Sequence, residues 1–180
     1  MPNTLRILSP FIAGTGNPDT AYEVVSTTPG SYSPYAAGDL GNIFEWGQNT
    51  YRKVVLDTSA VATVNGMLLF WKDKANFVVT NVAVNALLNA VVASNRNNVA
   101  GICRGVIPAG AQFFMLIAGP KVTVLEAAAG AGGMTLVANT GTNADALGVA
   151  IATAPPVQQI GVIVTSFSGG KVTANINITQ

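Results

Sequence analysis

Beyond Asn42 the chain reads as short apolar runs separated by turns, and that texture restricts it to β-structure. Ile43-Phe44-Glu45-Trp46, then Gly47-Gln48-Asn49, then Tyr51 through Leu56 predict a hairpin. Val64-Asn65-Gly66-Met67 carries Asn-Gly, two residues that tolerate positive φ, and predicts a second. Met67 to Trp71 and Phe77 to Thr80 flank Lys72-Asp73-Lys74-Ala75-Asn76, which reads as the charged tip of a third. Val99 to Val106, Gln112 to Ile117 and Lys121 to Leu125 follow, separated by Pro108-Ala109-Gly110 and by Gly119-Pro120, both expected to be loops. Ile160 to Phe167, the turn Ser168-Gly169-Gly170, and Lys171 to Ile178 close the chain. In the last run Val172, Ala174, Ile176 and Ile178 alternate with Thr173, Asn175 and Asn177. Such alternation belongs to a strand with one face on a core. The expected fold is all-β, a sandwich or barrel of short antiparallel strands. Val82 to Ala93 leaves room for one short helix: Val84, Leu87, Leu88 and Val91 keep helical spacing, while Asn85 and Asn89 weaken it.

Residues 1–41 have a different texture. Pro2, Pro10, Pro18, Pro29 and Pro34 recur with Gly14, Gly16, Gly30, Gly38 and Gly41 between them. Proline at this density opposes helix interiors and central strands. Phe11, Tyr22, Tyr32 and Tyr35 supply apolar anchors. The segment is expected to be an extended N-terminal arm that docks by its aromatics, with residues 42–180 forming a β-rich domain; an irregular loop on the same domain is the plainer alternative.

Composition says how such a domain is used. Of 180 residues, 49% are apolar and only 9% charged, against about 25% charged in ordinary soluble proteins. After Arg104 the charges are Lys121, Glu126, Asp145 and Lys171. A chain so poor in charge has little colloidal protection, which points to a surface covered by copies of itself or by a larger partner. The net charge of +1 gives no basic footprint for nucleic acid. No apolar run approaches the roughly 20 residues of a membrane helix. Leu5 to Leu8, cut short by Ser9-Pro10, does not make a signal peptide.

The residues for common chemistry are scarce. The chain has no histidine, which removes the usual general base and metal ligand, and a single cysteine, Cys103, which makes a zinc site implausible. The acidic residues are scattered, so no calcium loop is expected. The small-residue run Ala127 to Gly133 lacks the lysine of a phosphate-binding loop, and reads instead as a tight connection or a place where backbones approach closely. Val54-Val55-Leu56-Asp57-Thr58-Ser59-Ala60 is similar to the core string of retroviral-type aspartic proteases. Those enzymes need two aspartates sharing a proton, and Ser59 stands where the family has its turn glycine. Asp57-Thr58-Ser59 is therefore expected to be a polar turn at the surface. No catalytic residue, cofactor or metal is expected.

Two stretches together carry a resemblance. One is Gly41-Asn42-Ile43-Phe44-Glu45-Trp46, Tyr51-Arg52-Lys53-Val54-Val55 and Gly66-Met67-Leu68-Leu69-Phe70-Trp71-Lys72-Asp73. The other runs from Asn98-Val99-Ala100-Gly101-Ile102 through Ile107-Pro108-Ala109-Gly110, Phe113 to Ile117 and Val122 to Leu125, and on to Leu147-Gly148-Val149-Ala150 and Ile160-Gly161-Val162. This order resembles the head decoration (cement) proteins of tailed bacteriophages over most of residues 40–180. The resemblance implies a structural virion protein, assembled in the host cytoplasm, that binds the major capsid protein on the outer head surface and stabilises the expanded head. It also implies a homo-oligomer, with a trimer favoured, and makes Phe11, Tyr22, Tyr32 and Tyr35 the candidate capsid contacts. A second reading is another phage structural part: a head fibre base, tail protein or adhesin.

Overall fold

A computed structural model describes residues 18–19, 22–24, 40–82, 98–126, 130–139, 146–149 and 158–178. Its strands are β1 (Tyr22–Val24), β2 (Ile43–Trp46), β3 (Asn49–Leu56), β4 (Leu68–Asp73), β5 (Val78–Thr80), β6 (Val99–Ile102), β7 (Ala111–Leu125), β8 (Thr135–Ala138), β9 (Ala146–Val149), β10 (Gly161–Ser168) and β11 (Lys171–Asn177). The all-β expectation holds. The helix considered for Val82 to Ala93 lies, from residue 83 on, outside the described residues.

Pairing closes five of these strands into a barrel, in the order β3-β5-β4-β6-β7 and back to β3. Closure removes sheet edges that would otherwise seek partners. The hairpin β4–β5 makes it possible, by laying β5 between β4 and β3. That placement makes β3–β5 parallel (Val55↔Val78, Leu56↔Val79), where only antiparallel pairs were expected. One apolar cluster takes side chains from all five strands: Val54 and Leu56, Leu69 and Trp71, Val79, Ala100, and Phe113, Met115 and Ile117. A cluster fed by every strand of a closed ring is its interior.

The outer faces of β4, β6 and β7 are buried as well. Leu68, Phe70, Ile102 and Leu116 pack with Val122, Val124, Leu136, Ile163, Val172, Ala174 and Ile176. These belong to a second sheet, β7-β11-β10-β8-β9. β7 serves both layers. Its residues 112–118 pair with β3 and its residues 118–125 with β11. The expected loop at Gly119-Pro120 is thus a correction: the strand runs straight through it. Proline is tolerated there because it sits at an irregularity, where the chain changes partners and a ladder N–H is not required. Lys121 takes a positive φ of 51°, and its N–H is held by the Asn175 Oδ1 at 3.1 Å.

Three turns show how local sequence sets register. Trp46 pairs with Asn49 across Gly47-Gln48, with Gly47 at φ 60°, the first-position glycine that a tight hairpin favours. Ser168 pairs with Lys171 across Gly169-Gly170, both at positive φ, as a primed two-residue turn requires. Asn65-Gly66 is the correction among them. It does form a turn, with Gly66 at φ 91°, but residues 61–64 are loop, so it leads into β4 and joins no hairpin. Gly66 is fixed for a second reason. Its N–H donates to the Cys103 carbonyl (2.8 Å), its carbonyl accepts from Leu125 (2.9 Å), and a Cβ would meet Leu125 N and Thr123 O at 3.0 Å.

Candidate interaction surface

The described residues of the N-terminal segment lie on the barrel. Pro18 is buried. The Asp19 carboxylate accepts from the Tyr51 hydroxyl (2.7 Å) and pairs with Arg104 (3.2 Å). It thereby ties the segment to β3 and to the loop after β6. Burial, reinforced by the Asp19 bond, pushes the Tyr51 hydroxyl far above the usual tyrosine range, so Tyr51 stays a donor at any ordinary pH. β1 then pairs with β7 (Tyr22↔Phe113, Val24↔Ala111), on the edge opposite β3. Tyr22 is 48% exposed. Of the four expected contact residues it is the one within view; Phe11, Tyr32 and Tyr35 lie outside the described residues.

β2 adds two apolar side chains that the sequence reading did not single out. Ile43 and Trp46 are exposed, while Phe44 between them turns inward. It stacks on Tyr51 (ring centroids 5.4 Å apart) and meets Phe114 edge-on at 4.7 Å. Such aromatic pairs are worth about 1 kcal/mol beyond their buried area. Trp46 is thus presented from a strand whose other aromatic is anchored.

A second surface lies on two loops, residues 57–67 and 103–110. Val61, Val64 and Val106 are 59%, 44% and 66% exposed, yet the backbone beneath them is held by buried polar side chains. The Thr63 hydroxyl donates to the Gly105 carbonyl (2.8 Å) and accepts from the Ile107 N–H (2.8 Å), while the Thr63 N–H reaches the Ile107 carbonyl at 3.1 Å. Asn81 pairs with both backbone groups of Val61, at 3.2 and 2.8 Å. The Cys103 thiol, fully buried, points at Thr63 Oγ1 and the Gly105 carbonyl, and burial pushes it above the usual thiol range. A buried unreactive thiol of this kind is a packing group. These bonds fasten the two loops to each other and to Asn81, and each satisfies a polar group that would be costly to bury alone.

The same loop begins at Asp57. The residue lies in a turn after β3, as expected, but its placement at the surface is a correction: it is 7% exposed. Lys72, arriving from β4, contacts Asp57 Oδ2 at 2.7 Å, and Ser59 Oγ donates to the same oxygen. Burial works to raise the carboxyl, but the hydrogen bonds from Lys72 and Ser59 and the lysine charge prevail and hold it below the usual carboxylate range. At the hairpin tip Asp73 accepts from the Ala75 N–H (2.9 Å) and the Asn76 side chain (2.6 Å), an aspartate closing its own turn. Among the described residues no group of three or more His, Cys, Asp or Glu side chains is placed to hold a metal ion.

No protein-family model and no curated protein matches the sequence. Among solved structures the chain is similar to the head fiber gp8.5 N base of bacteriophage phi29, at 12% identity and a TM-score of 0.46, over 72% of this chain and 97% of that one. A likeness at that level does not extend to function.

Proposed function

We propose that the chain is a non-enzymatic structural protein of a tailed-phage virion, which attaches to the major capsid protein on the outer head surface and stabilises the expanded head as a homo-oligomer, a trimer being favoured. One observation carries the reading beyond the sequence resemblance. The N-terminal segment is fastened to the barrel through Pro18 and Asp19 and still presents Tyr22 to solvent. Large aromatics held out from a rigid support are what an interface uses as anchors, because little entropy is lost when they are covered. Ile43 and Trp46 on β2 extend the supply of apolar anchors. Asp57, engaged with Lys72 and Ser59, serves the fold and no reaction. Repetition over a capsid multiplies even a modest contact when the attaching unit is oligomeric.

The test is co-sedimentation of the purified protein with expanded capsids of its phage. Parent protein should pellet with the shells, and Tyr22→Ala with Trp46→Ala should weaken attachment on the order of tenfold or more. Parent protein that stays in the supernatant at micromolar concentration would overturn the proposal. Parent protein that instead labels tails in electron micrographs with a specific antibody would favour a tail part.

A further inference from the structure

We infer that the N-terminal segment is a latched strap: residues 18–19 and 22–24 leave the barrel together while the barrel stays folded, and the Asp19 carboxylate is the latch. The inference goes beyond the proposed function and does not depend on it. The first ground is topology. The ring β3-β5-β4-β6-β7 closes without β1. On the edge of β7 opposite β3, β6 meets Leu116, and β1 covers Ala111 to Phe113 farther along. Lifting β1 away therefore breaks no link of the ring. The ladder it gives up is short, running from Tyr22 to Val24, and Tyr22 is already exposed. An element held by so short a pairing belongs to the part of a fold that opens well below global unfolding.

The second ground is the chemistry of the fastening. Asp19 accepts from the Tyr51 hydroxyl at 2.7 Å and meets Arg104 at 3.2 Å, with the Asp19 and Arg104 side chains only 18% and 20% exposed. Both donors are positioned by the barrel itself. Tyr51 stacks on Phe44, and its hydroxyl accepts from the Asn49 side chain at 3.1 Å. Arg104 follows Cys103, whose N–H and carbonyl are bonded to Met67 and Gly66. A hydroxyl and a guanidinium thus wait at one spot, and the strap supplies a carboxylate that both bind. Charge-assisted bonds of this kind are roughly twice as strong as neutral ones, so the latch outweighs any single bond of the β1 ladder. Opening it uncovers the β7 edge from Ala111 to Phe113 and takes Tyr22 from its fixed place.

The experiment is amide hydrogen exchange on the full-length protein, read by NMR in water and in urea too dilute to unfold it. In the parent, amides of residues 22–24 should exchange more slowly than in a free peptide, faster than those of residues 114–116, and almost independently of urea. Exchange at 114–116 should rise with the full urea slope of unfolding. Asp19→Asn and Arg104→Met should each speed exchange at 22–24 about tenfold, the loss of one hydrogen bond to a charged group. The double variant should go no further than either alone, because both remove the same contact. Ile176→Val, which weakens the second sheet, should speed exchange at 114–116 and leave 22–24 as in the parent, since the opened strap leaves that sheet intact. Strap amides that follow the full urea slope, or that Ile176→Val also speeds, would overturn the inference by making the segment part of the global unit. Separate opening that neither Asp19→Asn nor Arg104→Met speeds would overturn the assignment of Asp19 as its latch.

Discussion

In the barrel, β6 is buried along its whole length and β4 from Leu68 to Trp71, because one face fills the interior and the other lies under the second sheet. In that second sheet β11 alternates, with Val172, Ala174 and Ile176 buried and Lys171, Asn175 and Asn177 in solvent. The two regions share β7 and an apolar layer, yet they tolerate change differently. β6 and the Leu68 to Trp71 part of β4 have no free face, so each substitution there meets packed neighbours. In the outer sheet β11 offers alternate positions to water, while β8 is buried along its length. The difference shows that burial on both faces, and not strand propensity, is what separates β4 and β6 from β11.

The largest effects should fall inside the barrel. Phe113→Ala should lower unfolding free energy by about 4 kcal/mol, while Ile176→Val in the outer sheet should lower it by about 1 kcal/mol. Urea denaturation followed by tryptophan fluorescence and by circular dichroism reads both. Each should remain one coincident transition, because β7 and the shared apolar layer couple the regions. Two separated transitions in either variant would break the comparison, making barrel and outer sheet independent units.

Next is Thr63→Val, which keeps shape but removes a buried hydroxyl from the Gly105 carbonyl and the Ile107 N–H. The expected loss is about 2 kcal/mol by the same measurement, since buried partners are left unsatisfied. A neutral result would mean that packing alone holds the loops.

Asp57→Asn should cost about 1 kcal/mol at neutral pH, as the Lys72 charge loses its partner. The pH dependence sharpens this. The folded carboxyl titrates below its ordinary value, so its contribution is present at neutral pH and is lost as pH falls through the lowered folded value. Urea midpoints measured from neutrality downward should therefore show a shallower acid slope in Asp57→Asn than in the parent. Equal slopes would place the acid sensitivity elsewhere. The smallest effect should be at the exposed hairpin tip, where Lys74→Ala stays within about 0.5 kcal/mol of the parent.

Sequence pattern identified the elements whose signals are local. The β2–β3, β4–β5 and β10–β11 hairpins follow from glycine or aspartate turn chemistry next to apolar runs, and β11 from its alternation. What depended on distant chain was not visible. Gly119-Pro120 looks like a loop until β11 is found beside it. Asn65-Gly66 looks like a hairpin until Thr63 is seen fastened to the loop at Ile107. Asp57 looks solvated until Lys72 arrives from β4. The surface was legible only in part. Tyr22 was singled out and is exposed, but Val61, Val64 and Val106 read like the buried Val54 and Val79, since nothing in a valine's neighbours along the chain tells which side of a sheet or loop it will occupy.

The shared strand also has a mechanical meaning. β7 is gripped along one half by β3 and along the other by β11, both antiparallel to it. Ladder hydrogen bonds stand perpendicular to the strands they join. A pull directed along β7 therefore loads the bonds of each ladder in shear and all together, instead of peeling them one at a time. The fold behaves as two lap joints on a single tie-rod, stiff along that axis and far more compliant to forces that lift the outer hairpin away.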